Sequence, residues 1–408
     1  MKIIHTADLH LGQIIYQNYD RKEEHLHFFK QLAEWCKAEK PDALLVCGDV
    51  FDIQQPSAAV KKMFNDQIVK IHAECPSMHI VVVAGNHDSA SRLQADSPLW
   101  NISGMTLIGT APSFDIQDRD DEWQKQYVVE LDSGYIVAMP YMNGNRKEQI
   151  QSVLDYVATV NKDDKPVVMT GHMAITGADF KGHDFHVGNL QTLDIESAGV
   201  GYDYLALGHI HRPQTLDKEE VYSDDVTYPS PVARYSGAAL HVSCDEKYPH
   251  TVSMVEIDRH GGNVHIRELR IDELLHFYEL PNGDDFFQSA DAVLEAIDSF
   301  IDAGKSGYIR LKVDHAVDLP VNFDQLVYDK LATTQQIVRY NPKIIWSDAP
   351  SGQDQQEALP QFDIPELQQM SDPLEFVLKT FDQYEGLDEE EVKKAFEEVR
   401  ERVKLMQD

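Results

Sequence analysis

Five short clusters in this chain carry side chains that bind metal ions: Asp8-Leu9-His10, Gly48-Asp49-Val50-Phe51-Asp52, Gly85-Asn86-His87-Asp88, Gly171-His172 and Gly208-His209-Ile210-His211. Each follows its own apolar run, such as Ala43-Leu44-Leu45-Val46 before Gly48. Carboxylates, imidazoles and an amide oxygen at strand ends make a mixed donor set suited to hard or borderline divalent cations. Mn²⁺ fits, with Mg²⁺ as an alternative. Taken singly, a strand-end Asp is usually a turn residue, and a lone His is a satisfied polar side chain. Five such clusters in one order are what a two-metal hydrolytic site needs.

The candidate ligands sort into two sets. One ion takes Asp8, His10 and His211, and the other takes Asn86, His172 and His209. Asp49 bridges them, because a carboxylate has two oxygens and paired ions stand roughly 3.5–4 Å apart. Asp8 and His10 are two residues apart, so on an extended backbone both face one side and reach one ion. His209 and His211 share that spacing but serve different ions, so their strand must have ended and the backbone must turn. Ions so held lower the pKa of a bridging water, polarise a phosphoryl oxygen and offset the charge of an in-line displacement. His87 is not needed as a ligand. It is the catalytic candidate, placed to contact the scissile phosphate or protonate the leaving oxygen. Asp88 is expected to orient His87 or to cap the following helix. His5, His25, His27, His183, His186 and His241 lack such context and are expected to be structural or surface residues.

Alternating strand and helix patterns must position these clusters. Residues 2–7 read as a strand, 21–40 as a helix with Leu26, Phe29, Ala33 and Cys36 on one face, and 43–46 as a buried strand. Ser57 reads as the N-cap of a helix presenting Val60, Phe64, Ile68 and Ile71. Residues 79–84 are a third strand. This order implies an α/β domain with its site at the carboxyl edge of the strands. Further strands are expected over 126–131, 135–139, 166–170 and 204–207, and a helix over 149–160. Alternating runs over 252–257 and 264–269 are expected to close a second sheet. The expected architecture is therefore a two-sheet β-sandwich flanked by helices, spanning residues 1–270. A smaller α+β module over 271–350 and a Gln/Asp/Pro-rich linker over 351–370 follow. Capping boxes at Asp372–Glu375 and Asp388–Glu391 open a helical pair over 371–408. Its apolar stripe must dock on its own chain or grip a partner.

Composition narrows the functions further. The 408 residues are 42% hydrophobic, enough for a large core and a smaller domain. Lys and Arg number 36 against 69 Asp and Glu, a formal net charge of −33. Such acidity opposes broad, metal-free binding to a phosphate backbone. A nucleic-acid substrate therefore requires local cations, bound ions or a basic partner. Cys36, Cys47, Cys75 and Cys244 form no CxxC pair and read as buried thiols in a reducing compartment. With no secretory signal and no apolar run of membrane-span length, a cytoplasmic protein without a membrane contact is expected.

The quoted clusters resemble the calcineurin-type metallophosphoesterase superfamily, with its D-x-H, G-D-x-x-D, G-N-H-D, G-H and G-H-x-H motifs. More narrowly, His5-Thr6-Ala7-Asp8-Leu9-His10-Leu11-Gly12, Ala84-Gly85-Asn86-His87-Asp88-Ser89 and Ala206-Leu207-Gly208-His209-Ile210-His211 are similar to the SbcD family. These are bacterial nuclease subunits for double-strand-break repair. The resemblance implies a Mn²⁺-dependent 3′-to-5′ exonuclease on double-stranded DNA, also an endonuclease on single strands and hairpins. It implies a capping domain over 271–350 and a coiled-coil SbcC-type ATPase partner gripped by the C-terminal helices. It further implies a homodimer through 57–72 and 91–100, and so a heterotetramer with the ATPase. Asp52 stands where archaeal relatives carry a second catalytic His, and no acid/base role is carried over to it. Rival readings are a phosphomonoesterase or protein phosphatase, a cyclic-nucleotide phosphodiesterase, and a non-catalytic scaffold for the ATPase. Phosphatases usually show G-D-x-x-D-R-G and G-N-H-E, where this chain has Ile53-Gln54 after Asp52 and Asp88 after His87. The phosphodiesterases usually lack the capping domain and tail, and the complete ligand set opposes a scaffold.

Overall fold

The computed structural model describes residues 1–16, 18–112, 123–180, 192–217, 225–242, 246 and 248–347. Within them the chain runs β1 (Lys2–Thr6), β2 (Ile14–Ile15), β3 (Tyr19–Asp20), α1 (Lys22–Glu39), β4 (Ala43–Cys47), α2 (Ala58–Glu74) and β5 (His79–Val83). There follow α3 (Ala90–Gln94), α4 (Ser97–Ile102), β6 (Met105–Ile108), β7 (Val128–Leu131), β8 (Gly134–Val137), α5 (Lys147–Val160), β9 (Val167–His172) and β10 (Tyr204–Gly208). Then come β11 (Gln214–Thr215), β12 (Asp225–Pro229), β13 (Val232–Tyr235), β14 (Thr251–Ile257), β15 (Asn263–Arg270) and β16 (His276–Leu280). The last are α6 (Ala290–Asp302), β17 (Gly307–Val313), α7 (Phe323–Leu331) and β18 (Val338–Trp346). The expected linker, the helical pair, Cys244, His183 and His186 lie outside the described residues.

Two sheets stack as a sandwich. The first has the order β12-β15-β14-β1-β4-β5-β6 and the second β11-β13-β10-β9-β8-β7. Strand β4 shows why its sequence is an unbroken apolar run. Ala43, Leu45 and Cys47 face the second sheet, in the cluster with Val168, Leu205 and Leu207. Leu44 and Val46 face the helices, in the cluster with Phe28, Phe64 and Ile68. A strand covered on both faces has no polar side to alternate with. Helix α2 starts where expected: the Ser57 hydroxyl accepts from the Val60 N–H at 3.3 Å. Cys36, Cys47 and Cys75 are buried free thiols, as their apolar settings imply.

One topological expectation fails. Strands β14 and β15 do not close the second sheet; β14 pairs antiparallel with β1 and extends the first. The reason lies in β1. Its other edge is paired in parallel with β4, so its free edge leaves buried N–H and C=O groups that need partners. Strand β14 supplies them. Helix α4 and strand β6 are short segments with little periodicity, and the sequence pattern does not announce them.

Residues 272–347 build on a parallel sheet, β16-β17-β18. Helices α6 and α7 pack on it through Val293, Ile297, Val327 and Leu331, forming a hydrophobic cluster separate from the sandwich. A seam of Ile15, Leu275 and Tyr308 ties this layer to the first part of the chain. There the Tyr308 hydroxyl donates to Glu24 Oε1 at 2.6 Å, and Arg339 Nη1 donates to the same carboxylate at 3.2 Å. Among the described residues no helix is long and apolar enough to cross a membrane.

Candidate metal centre

All five clusters reach one edge of the sandwich, where the carboxyl ends of β1, β4, β5, β9 and β10 meet. The loops after β1 and β4 are laced together: Asp8 N–H donates to Gly48 O, His10 N–H to Asp49 O and Leu11 N–H to Val50 O, each at 3.0 Å. Four of the candidate ligands sit in the left-handed backbone region, Asp8 (φ 52°), His10 (φ 44°), Asp49 (φ 47°) and His209 (φ 96°). Such conformations cost a non-glycine residue free energy and cluster at functional sites. They also change the expected geometry at the first cluster. Asp8 and His10 do converge, but through tight left-handed turns, not as neighbours on an extended strand. At His209 the expected break is present, because β10 ends at Gly208.

The motif glycines answer to crowding. A Cβ on Gly208 would stand 2.0 Å from the Cys47 carbonyl oxygen of the opposite sheet. One on Gly48, itself at φ +88°, would stand 2.1 Å from His172 Nδ1. Only glycine lets the two sheets approach this closely.

The candidate side chains lie in two groups. Asp8, His10 and His211 bring ligand atoms within 4.8 Å of one another, and so do Asp49, His172 and His209. Asn86 Oδ1 completes the second group, 2.9 Å from both His172 Nε2 and His209 Nδ1. Between the groups lies Asp49 Oδ2, 3.3 Å from His172 Nε2 and 3.8 Å from His10 Nε2. The other oxygen, Oδ1, accepts the His87 backbone N–H at 2.8 Å. One oxygen of Asp49 therefore faces both groups. Asp8, His10, Asp49 and His172 are at most 2% exposed, whereas Asn86, His87 and His209 are half-buried and form the open side.

These residues fit a divalent-metal pair. Among the described residues neither ring nitrogen of His10 has a hydrogen-bond partner. Its Nδ1 lies 3.3 Å from Asp52 Oδ1. An unpartnered imidazole buried among carboxylates is costly unless a cation joins them. The electrostatics agree. Burial opposes charge on His172, but Asp49 and Asp8 raise its pKa to about 9. Burial likewise opposes ionisation of Asp49, and His172, His10 and His87 overcome it, holding the carboxyl far below its ordinary range. Asp8 is raised, chiefly by burial.

His87 Nδ1 lies 2.8 Å from the Asp52 carbonyl oxygen and must donate to it. Its Nε2 is thereby left for other work. Asp88 does neither of the two expected jobs. Its carboxylate accepts backbone N–H groups of Gly85 (2.8 Å), Phe51 (2.9 Å) and Val50 (3.1 Å), clamping the loops after β4 and β5 together. Burial, then the Asp49 charge, push its pKa up to about 6 against those donors. The helix after it starts at Ser89 without a side-chain cap.

One neighbour of the candidate ligands escapes sequence reasoning: the buried Glu246 places Oε1 3.0 Å from His211 Nδ1. A carboxylate behind an imidazole fixes its tautomer and orientation. Glu246 lies 35 residues from His211 in no motif, so no local signal marks it. His5 and His25 are structural, as expected. The first bonds Tyr204 Oη and the Leu207 carbonyl, the second the Leu9 carbonyl.

A family model described as calcineurin-like phosphoesterase matches residues 1–213, and the chain belongs to that family. Within it, the chain is similar to the SbcD component of the SbcCD nuclease from Escherichia coli (strain K12), 30% identical over 276 residues, 62% of this chain and 65% of that one. It matches the SbcD component from Bacillus subtilis (strain 168) at 27% over 270 residues, 63% of this chain and 66% of that one. The match thus spans about two thirds of both relatives. The Staphylococcus saprophyticus protein of the same name aligns further, at 24% identity over 84% of this chain and 87% of its own. The resemblance to the SbcD family read from the motifs is borne out. A solved dimetal phosphatase from Danio rerio covers 67% of this chain and 98% of its own at a TM-score of 0.36 and 11% identity, a likeness too slight to carry an argument.

Proposed function

We propose that this chain is the metal-dependent DNA nuclease subunit of an SbcC–SbcD-type complex. It is a 3′-to-5′ exonuclease on double-stranded DNA and an endonuclease on single strands and hairpins, serving break repair, recombination and replication in the cytoplasm. The observation that carries the reading is the placement of Asp49 Oδ2 between two complete donor groups, in a chain similar to nuclease subunits.

Asp8, His10 and His211 would hold one Mn²⁺ and Asn86, His172 and His209 the other, with Asp49 shared; Mg²⁺ is the alternative. When bound, such a pair supplies an activated water and polarises the phosphoryl oxygen. Glu246 keeps His211 oriented. His87, anchored through Nδ1 to the Asp52 carbonyl, presents Nε2 to the scissile phosphate or the leaving oxygen. It lies on the open side, where a strand can enter.

In this reading residues 1–270 are the nuclease domain and 271–350 the capping domain. Residues 351–370 are the linker, and 371–408 grip the ATPase. The net charge of −33 makes the ATPase and the bound cations the means of overcoming repulsion from DNA. A homodimer through α2 and α3–α4 is supported by exposed apolar side chains there: Val69, Leu99 and Ile102 are 58%, 70% and 84% exposed.

The test is cleavage of labelled hairpin DNA by the purified chain with Mn²⁺, beside a phosphomonoester control, with and without the ATPase. Hairpin opening with little ester turnover supports the reading; rapid ester turnover with intact DNA overturns it. Deleting 371–408 should spare cleavage of short single strands and abolish co-purification with the ATPase. Retained co-purification would place the docking surface elsewhere.

A further inference from the structure

A second cluster of imidazoles and carboxylates lies where the sandwich meets the module of residues 272–347. His241, His250 and Glu273 each bring a ligand atom within 4.8 Å of the others. His250, 1% exposed, has Nδ1 2.8 Å from the Ala238 carbonyl oxygen. A carbonyl only accepts, so Nδ1 donates to it and Nε2 is the atom left for a ligand. Among the described residues that Nε2 has no hydrogen-bond partner, and it faces the fully buried Glu246 Oε2 at 3.3 Å. A buried imidazole nitrogen without a hydrogen bond, beside a carboxylate, is a position that a cation would fill.

The other two side chains extend the pattern. His241 Nδ1 lies 3.1 Å from Glu273 Oε1, and its ring centroid is 4.2 Å from that of His250. A 3.1 Å gap suits a hydrogen bond, and it equally suits two ligands on one ion with bonds of about 2.0–2.2 Å. Burial opposes charge on Glu273, but His241 and then His250 and His276 hold it ionised, below its ordinary range. A cavity of about 400 Å³, lined in part by Tyr16, Tyr248, Glu273 and Arg310, opens onto the cluster and gives an ion a way in.

We propose that His241, His250 and Glu273 form a third metal site, apart from the two-metal centre, that takes a divalent transition-metal ion of the zinc class. Two imidazoles and one carboxylate are a zinc donor set with one position left open. Such nitrogen-rich sites favour the later metals over Mn²⁺. An ion there would take the place of the hydrogen between His241 and Glu273, a neutral His241 keeping its proton on the other ring nitrogen. The three ligands come from the stretch after β13, the residue before β14 and the connection from β15 to β16. An ion there pins that connection to the sandwich. It also steadies Glu246, whose other oxygen holds His211.

The experiment uses the full chain, stripped by chelator and titrated with Zn²⁺ alone, with Co²⁺ alone as the spectroscopic probe. Metal stoichiometry and ligand-field bands are read. In a His10→Ala/His172→Ala/His209→Ala background, which leaves the two-metal centre a single imidazole, one equivalent of Zn²⁺ should still bind. Adding His241→Ala should remove it. Glu273→Gln, nearly isosteric, should weaken it at least about tenfold. Circular dichroism and melting without metal confirm that each variant is folded. Absence of zinc binding in the background overturns the proposal, as does binding that neither added change affects. Because no activity is measured, failure here is separate from failure of the nuclease reading.

Discussion

The two sheets of the sandwich contribute unlike halves of the candidate metal centre. From the ends of β1, β4 and β5 come every oxygen donor, Asp8, Asp49 and Asn86, with the single imidazole of His10. From the ends of β9 and β10 come imidazoles alone, His172, His209 and His211. Neither sheet holds a complete set. The halves are joined by short contacts across the sandwich: His172 Nδ1 donates to the Cys47 carbonyl at 2.9 Å, and Asp8 accepts the His209 N–H at 3.0 and 3.1 Å. Docking the sheets therefore assembles the site, and the carboxylates of one sheet offset the imidazoles of the other. Metal binding and sheet docking should be coupled.

The strongest way to break this division is at its shared oxygen. Asp49→Asn removes the charge that faces both donor groups and should lower Mn²⁺-dependent cleavage by at least about a thousandfold while the fold persists. Full activity in that variant would end the bridging role. Next is His87, which belongs to the first sheet's loops but to neither donor group. His87→Ala should lose about 10²–10⁴ in turnover and keep both metals on equilibrium dialysis. Reduced metal occupancy would make it a ligand instead.

A smaller effect tests the support behind the second sheet. Glu246→Gln leaves His211 a weaker partner and should reduce affinity of the two-metal centre by about 10–100-fold, measured by Mn²⁺ titration of activity. An unchanged titration would mean that His211 is positioned by packing alone. The smallest effect concerns the sheet contact itself. His5, on β1, reaches Tyr204 and Leu207 of the second sheet. Burial, then the Arg234 charge, lower its pKa from 6.5 to about 3, against the Leu207 carbonyl. The folded state holds His5 neutral, so its contribution is present above pH 6.5 and is lost as pH falls towards 3. At pH 5 the unfolded chain gains about 2 kcal/mol from this proton. His5→Phe should flatten the stability profile over that range by chemical denaturation, and an unaltered slope would assign the acid sensitivity elsewhere.

Much of this is legible in the chain because it is local. Strand β4 is apolar at every position because both faces are covered. The clusters at Gly48 and Gly208 need glycine because two sheets meet there. Periodicity alone places a helix over 21–40, and α1 spans Lys22–Glu39. Asp88 misleads because its partners, Val50 and Phe51, are 38 and 37 residues away, while His87 beside it looks like the natural target. His241 stands in no motif, yet it meets His250 and Glu273.

The sequence by itself determined which candidate side chains gather at one edge and which strands deliver them. Residue chemistry and the strand-to-loop transition are properties of short stretches. Only the tertiary structure decided that Asp8 and His10 converge through left-handed turns, that β14 joins β1, and that Glu246 stands behind His211. Those outcomes depend on which distant backbone groups must be paired and which buried charges must find a partner. Such demands arise only once the chain has closed on itself.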